Sequence, residues 1–111
     1  MCVATATDHR LVATALKRNR IIGYFGRIFT CTDIGHGKDE PDIYNAALAF
    51  LGTPKSCTWV FEDALYAVNT AKKAGFNVTG VYDRFEKDHS AVRKKANIYI
   101  NSFNEMRNFF D

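Results

Sequence analysis

Apolar positions along this chain alternate between two rhythms. Short apolar or β-branched runs suit strands, and between them apolar residues recur at the three- and four-residue spacing of amphipathic helices. Residues 1–5 predict a first strand. A helix follows from Asp8 to about Asn19, with Leu11, Val12, Ala15 and Leu16 on one face and Thr7 or Asp8 as its cap. Residues 28–32 read as a second strand, ending before the loop Gly35-His36-Gly37. Pro41 opens the next helix at a first-turn position; Ile43, Tyr44, Ala47, Leu48 and Leu51 form its buried face, and Gly52 stops it. Residues 58–61 predict a third strand, buried on both faces, and residues 64–75 a helix closed by Gly75. A fourth strand covers 77–82, a more solvated helix 86–95, and a peripheral strand 98–100. Ser102 and Glu105 match a capping box that starts a terminal helix carrying Met106, Phe109 and Phe110.

Strands alternating with helices imply parallel pairing through right-handed crossovers. The predicted class is α/β: a Rossmann-like parallel sheet with helices on both faces. At 111 residues there is room for one domain over 1–111 and one core. The net charge of +3 does not disturb this picture, because the basic residues cluster near predicted helix ends: Lys17-Arg18, Lys72-Lys73 and Arg93-Lys94-Lys95. No nucleic-acid groove, zinc-finger spacing or membrane-length apolar run is expected. Cys2, Cys31 and Cys57 are odd in number and lack a CxxC pairing, so three small buried thiols in a reducing, cytoplasmic setting are expected.

Candidate chemistry sits at predicted strand ends. Trp59-Val60-Phe61 runs into Glu62-Asp63, two adjacent acids at the carboxyl end of a strand, where open α/β sheets place their ligands. Two readings stand: a Mg²⁺ site of carboxylate oxygens, or an exposed strand end whose acids offset a helix N-terminus. Thr5 ends the first strand, and with Ala6-Thr7 offers a hydroxyl and backbone N–H groups to a phosphate oxygen; helix capping is the plainer reading. Lys38 follows the glycine loop, either solvated or set to neutralise a phosphate or carboxylate. Gly37-Lys38 is no P-loop, since the upstream glycine is missing and Asp39 stands where a Ser or Thr must be. His36 reads as a loop histidine without a partner, and His9, His36 and His89 lack ligand spacing.

Thr5, Lys38 with Pro41-Asp42-Ile43-Tyr44, and Glu62-Asp63 before a helix ending Ala74-Gly75-Phe76 together resemble motifs II, III and IV of the haloacid dehalogenase (HAD) superfamily. The likeness is to the β-phosphoglucomutase-like phosphatases and mutases, and covers about residues 2–105. Ala64 and Ala67 replace the usual Ser and Gly of motif IV, and Asp39 a common Pro. The resemblance implies phosphoryl transfer through an aspartyl-phosphate, from a small phosphorylated metabolite such as a sugar phosphate. Thr5 and the Ala6 N–H would bind the phosphoryl group, Lys38 would stabilise its charge, and Asp63 with Glu62 beside it would hold Mg²⁺.

The family's first motif, aspartate-x-aspartate followed two residues later by threonine or valine, is absent, as is the cap domain. The chain thus resembles a partial core carrying motifs II, III and IV, without the nucleophile, and is expected to be inactive alone. In the resembling fold the motif I strand lies between the motif II and motif IV strands. Those two strands are expected either to close up, to pair with a second copy through exposed edges, or to belong to a longer polypeptide; the last is favoured. The alternative function is a non-catalytic binding or regulatory Rossmann-like module, or an oligomerising remnant. A receiver-like module fits less well, because its acids precede the threonine and lysine.

Overall fold

Parallel pairing organises the chain, but in two ladders. The computed structural model describes residues 1–107, and the chain divides into two compact units, Met1–Thr53 and Pro54–Asp111. Each carries its own sheet. The whole is an α/β, Rossmann-like fold.

In the first unit, β1 (Val3–Thr5) pairs with β2 (Ile28–Thr30) in the register Val3↔Ile28 to Thr5↔Thr30. Helix α1 (His9–Arg18) begins at Asp8, whose carboxylate accepts the Arg10 N–H. Its covered stripe is Val12, Ala13 and Leu16, whereas Leu11, expected inside, is 64% exposed and Ala15 is exposed too. Strand β2 stops two residues earlier than its β-branched run suggested. The Thr30 hydroxyl accepts the Asp33 N–H at 3.1 Å and turns Cys31–Ile34 into a short helix, α2. A local side-chain bond thus outcompetes the ladder.

Helix α3 (Asp42–Leu51) has Pro41 as its capping residue and packs on both strands. Ile43, Tyr44 and Ala47 are buried as expected, with Phe29 and Thr30 of β2 beneath them, while Leu48 and Leu51 are half-buried. Phe29 meets Phe50 edge to face at 5.9 Å between centroids, and the Arg27 guanidinium lies 4.7 Å from the Phe29 ring centre. Gly52 ends α3 at φ 67°, a conformation that costs glycine nothing.

In the second unit, β3 (Trp59–Glu62), β4 (Asn77–Val81) and β5 (Ile98–Ile100) run parallel in that order. Both crossovers move the same way across the sheet, so right-handedness puts α4 (Leu65–Lys73) and α5 (His89–Lys95) on one face, where they pack side by side. The strand buried on both faces is β4, with Val78, Thr79 and Gly80 inside. Strand β3, expected to be that strand, is an edge of its own sheet: Trp59 and Val60 are half-buried and Phe61 is 37% exposed. Phe61 leans instead on Phe103 at 6.5 Å.

Val68, Ala67, Ala71, Phe76, Val92 and Ile100 complete this core. The Lys55 ammonium donates to the Ala74 carbonyl and lies over the Phe76 ring, closing the α4 terminus. The capping box at Ser102 is shifted. Ser102 accepts from Asn104 N–H, Glu105 reaches back to Asn101 N–H, and the segment Phe103–Met106 is a 3-10 turn. Phe109 and Phe110 lie outside the described residues.

The thiols are less covered than their small size suggested: Cys57 is exposed, Cys2 and Cys31 are half-buried, and all three are free. Burial pushes the Cys2 thiol above its ordinary 9.0, against a weaker pull from the N-terminal ammonium.

Candidate functional site

Thr5, the last residue of β1, does not cap a helix. Its hydroxyl oxygen accepts the Thr7 N–H at 3.1 Å, tightening the turn through exposed Ala6, while Asp8 caps α1. The hydroxyl hydrogen is not used in that bond, so Thr5 keeps a donor for an anion at the end of the strand.

Lys38 is half-buried in the loop joining α2 to α3. Both ends of that loop are fixed. Gly35 closes α2 at φ 88°, and the Glu40 N–H donates to the Gly37 carbonyl at 3.1 Å. His36, expected to lack a partner, places Nε2 3.6 Å from Asp42 Oδ2 in the first turn of α3. That contact, between two solvent-open side chains, spans the lysine along the chain and sets the loop beside the first turn of α3.

In the second unit the two acids separate. Glu62, the last residue of β3, is 6% exposed, and Asp63 beside it is exposed. The two neighbouring acids therefore differ sharply in their access to solvent. Among the described residues no three His, Cys, Asp or Glu side chains gather as a metal cage. Mg²⁺ does not require one: it keeps several waters and often takes only one or two protein carboxylates beside a phosphate. Of the two acids, Asp63 is the one open to solvent.

One residue here escaped the sequence reading. Helix α4 starts after Ala64, which has no side chain to cap it, and the Leu65 N–H is taken instead by Glu86 Oε2 at 2.9 Å. Glu86 Oε1 accepts the Asp88 N–H at 3.1 Å. These two backbone donors, Leu65 first, hold the Glu86 carboxyl below its ordinary 4.5, with a smaller pull from His89. The only local signal was negative, a helix start without a capping side chain.

Thr5, Ala6 and Lys38 thus belong to the first unit, and Glu62 and Asp63 to the second. Each unit is parallel α/β: the first has Thr5 at a strand end and Lys38 in the α2–α3 loop, the second has Glu62 and Asp63 at the end of β3. Residues 1–81 match the family model described as haloacid dehalogenase-like hydrolase, and the chain belongs to that family, in its β-phosphoglucomutase-like group. The beta-phosphoglucomutase of Bacillus subtilis (strain 168) is 34% identical over 80 residues, covering 71% of this chain and 35% of that protein. The validoxylamine A 7'-phosphate phosphatase of Streptomyces hygroscopicus subsp. limoneus is 26% identical over 105 residues, covering 95% of this chain and 48% of its own length. The crystal structure of a putative beta-phosphoglucomutase from Thermotoga maritima superimposes with a TM-score of 0.85 at 28% identity, over 98% of this chain and 50% of that one. The chain therefore spans half or less of the length of these relatives.

Proposed function

We propose that this chain supplies the phosphate- and metal-holding part of a Mg²⁺-dependent phosphatase or phosphomutase acting on small phosphorylated metabolites, sugar phosphates foremost. The observation that carries the reading is the split of the acid pair: Asp63 is exposed just after β3 ends, while Glu62, the last residue of that strand, is buried. The names of two relatives, a validoxylamine A 7'-phosphate phosphatase and a beta-phosphoglucomutase, support a phosphorylated small-molecule substrate.

In this reading the Thr5 hydroxyl and the Ala6 N–H bind oxygens of the transferring phosphoryl group. Lys38 neutralises the charge shared by the phosphoryl group and an attacking carboxylate, the arrangement phosphoryl transfer requires. Asp63 would ligate Mg²⁺, with Glu62 supporting from behind. When bound, that ion would offset charge on the phosphoryl oxygens. The attacking carboxylate is not among these residues: Asp8 is committed to capping α1, and Asp33 lies in the first turn of α2.

Incubated with p-nitrophenyl phosphate and Mg²⁺, the 111-residue chain should therefore release no product above background. A robust rate that Asp63→Asn abolishes would refute the assignment of the nucleophile to residues outside this chain. A second reading, docking through sheet edges, draws on β1 and β3 each pairing on one side within its own sheet. Gel filtration distinguishes it: a single stable oligomer supports edge docking, and a concentration-independent monomer removes it.

A further inference from the structure

The start of α4 lies directly behind Asp63, and the chain leaves it uncapped locally. Ala64 holds the capping position with extended backbone, φ −91° and ψ 130°, and makes no side-chain hydrogen bond. The first N–H groups of a helix need partners from elsewhere. The Leu65 N–H finds one 21 residues away in Glu86, whose other oxygen accepts the Asp88 N–H. That second bond is not slack, because Asp88 in turn caps α5 through the Ala91 N–H at 2.9 Å. His89 closes the same loop, its Nε2 2.8 Å from the Asp83 carbonyl oxygen and its ring 4.8 Å from that of Tyr82. One carboxylate therefore clamps the first residue of α4 to a loop that is itself pinned to β4 and α5.

We propose that Glu86 is a positioning residue for Asp63: by holding the Leu65 N–H from the β4–α5 loop it fixes the turn Glu62-Asp63-Ala64. The inference rests on the reading of Asp63 as the ligand-bearing acid, and deepens it by naming what holds that acid in place. Glu86 itself touches neither substrate nor metal. The charged groups on its own loop and the helix that follows are Asp83, Arg84, Lys87, Asp88 and His89.

The test uses amide NMR of the whole ¹⁵N-labelled chain. Glu86→Ala should speed hydrogen exchange at Leu65 by about tenfold, the scale of a lost cap, and leave the last turn of α4 unchanged. Glu86→Gln keeps an oxygen acceptor and should return exchange to within about threefold of the parent chain. Adding Ala64→Ser to Glu86→Ala should leave Leu65 exchange fast, because a hydroxyl at the capping position takes the N–H of Tyr66 or Ala67 and not that of Leu65. In the unsubstituted chain, acidification should mimic Glu86→Ala. A carboxyl held below its ordinary value stabilises fully above that value, so the protection of Leu65 should fade only as the pH falls through a midpoint under 4.5. Unchanged Leu65 exchange in Glu86→Ala overturns the proposal, and so does the absence of recovery in Glu86→Gln. Should Glu86→Ala not fold, the acid titration and Glu86→Gln decide alone, a Leu65 amide that ignores Glu86 protonation overturning it.

Mn²⁺ then separates this inference from the reading beneath it. Broadening of the Asp63 amide should need about fivefold more Mn²⁺ in Glu86→Ala, and should vanish in Asp63→Asn. Equal broadening in parent and Glu86→Ala overturns the positioning role while sparing Asp63 as ligand. Broadening that is absent from the parent, or indifferent to Asp63→Asn, overturns the reading of Asp63, while the exchange data still decide whether Glu86 orders the turn.

Discussion

Lys38→Ala will lower kcat by about 10²–10³-fold in a polypeptide that joins this chain to the N-terminal part of a β-phosphoglucomutase relative, with a smaller change in KM. The magnitude follows from what the lysine is asked to do. A phosphoryl group between an attacking carboxylate and a leaving oxygen concentrates negative charge, and a fixed ammonium is worth far more there than a mobile one in water. The Lys38 loop is built to be fixed. Thr30 turns the chain out of β2, Gly35 ends α2, and His36 reaches Asp42 at 3.6 Å on the first turn of α3. Behind it Ile43, Tyr44 and Ala47 are buried, so α3 cannot shift without opening its core. Lys38→Arg should not restore the rate, because a planar fork does not replace a compact point charge in a set geometry. Steady-state kinetics with p-nitrophenyl phosphate, with thermal unfolding as the control for integrity, decide the matter. A loss under about threefold in a folded chimera would remove Lys38 from the chemistry.

Much of this architecture could be read in advance because its signals are local. Asp8 caps α1, Gly52 and Gly75 follow α3 and α4, and basic pairs close α1 and α4 and a basic triplet α5, each within a few residues of the element it defines. The candidate residues were legible for the same reason. Thr5 and Glu62 are the last residues of their strands, and Asp63 directly follows one.

What escaped depends on partners distant in the chain or on competition between local bonds. Residues 28–32 have strand composition, yet a single hydroxyl at Thr30 ends the ladder. Phe61 has the apolarity of a buried strand residue, but its exposure is set by which strands flank β3, and composition does not encode that. His36–Asp42 and Glu86–Leu65 leave no periodic trace, since neither pair repeats. The second of these matters most. Helix α4 starts after Ala64, which offers no capping oxygen, and its first N–H, on Leu65, is taken by a residue 21 positions further on.

Gly80→Ala is expected to destabilise the second unit by about 1–3 kcal/mol, although alanine is ordinarily the better strand residue. Two terms compete. Removing a glycine narrows the unfolded ensemble and favours folding by about 0.4–1 kcal/mol. Against this, a Cβ at position 80 would lie 2.9 Å from Val92 Cγ1, 3.0 Å from the Tyr99 ring and 3.2 Å from the Ala96 Cβ. Val92 is 1% exposed on α5 and β-branched, so it has almost no alternative rotamer in a helix. The clash therefore wins, and α5 must lift from β4. That movement also bears on the candidate site, because Gly80 pairs with Glu62 in the ladder, and α5 begins one residue after Asp88, which Glu86 holds. The contact can be isolated by a cycle. Val92→Ala alone should cost roughly 2 kcal/mol as lost burial and cavity. The double variant should be more stable than the sum of the two losses by about 1 kcal/mol, since each substitution relieves the other. Urea unfolding followed through the fluorescence of Trp59, the single tryptophan and part of β3, reads all four states. Strict additivity would mean that Gly80 is not kept small by α5, and that the close approach of helix and strand has slack enough for a methyl group.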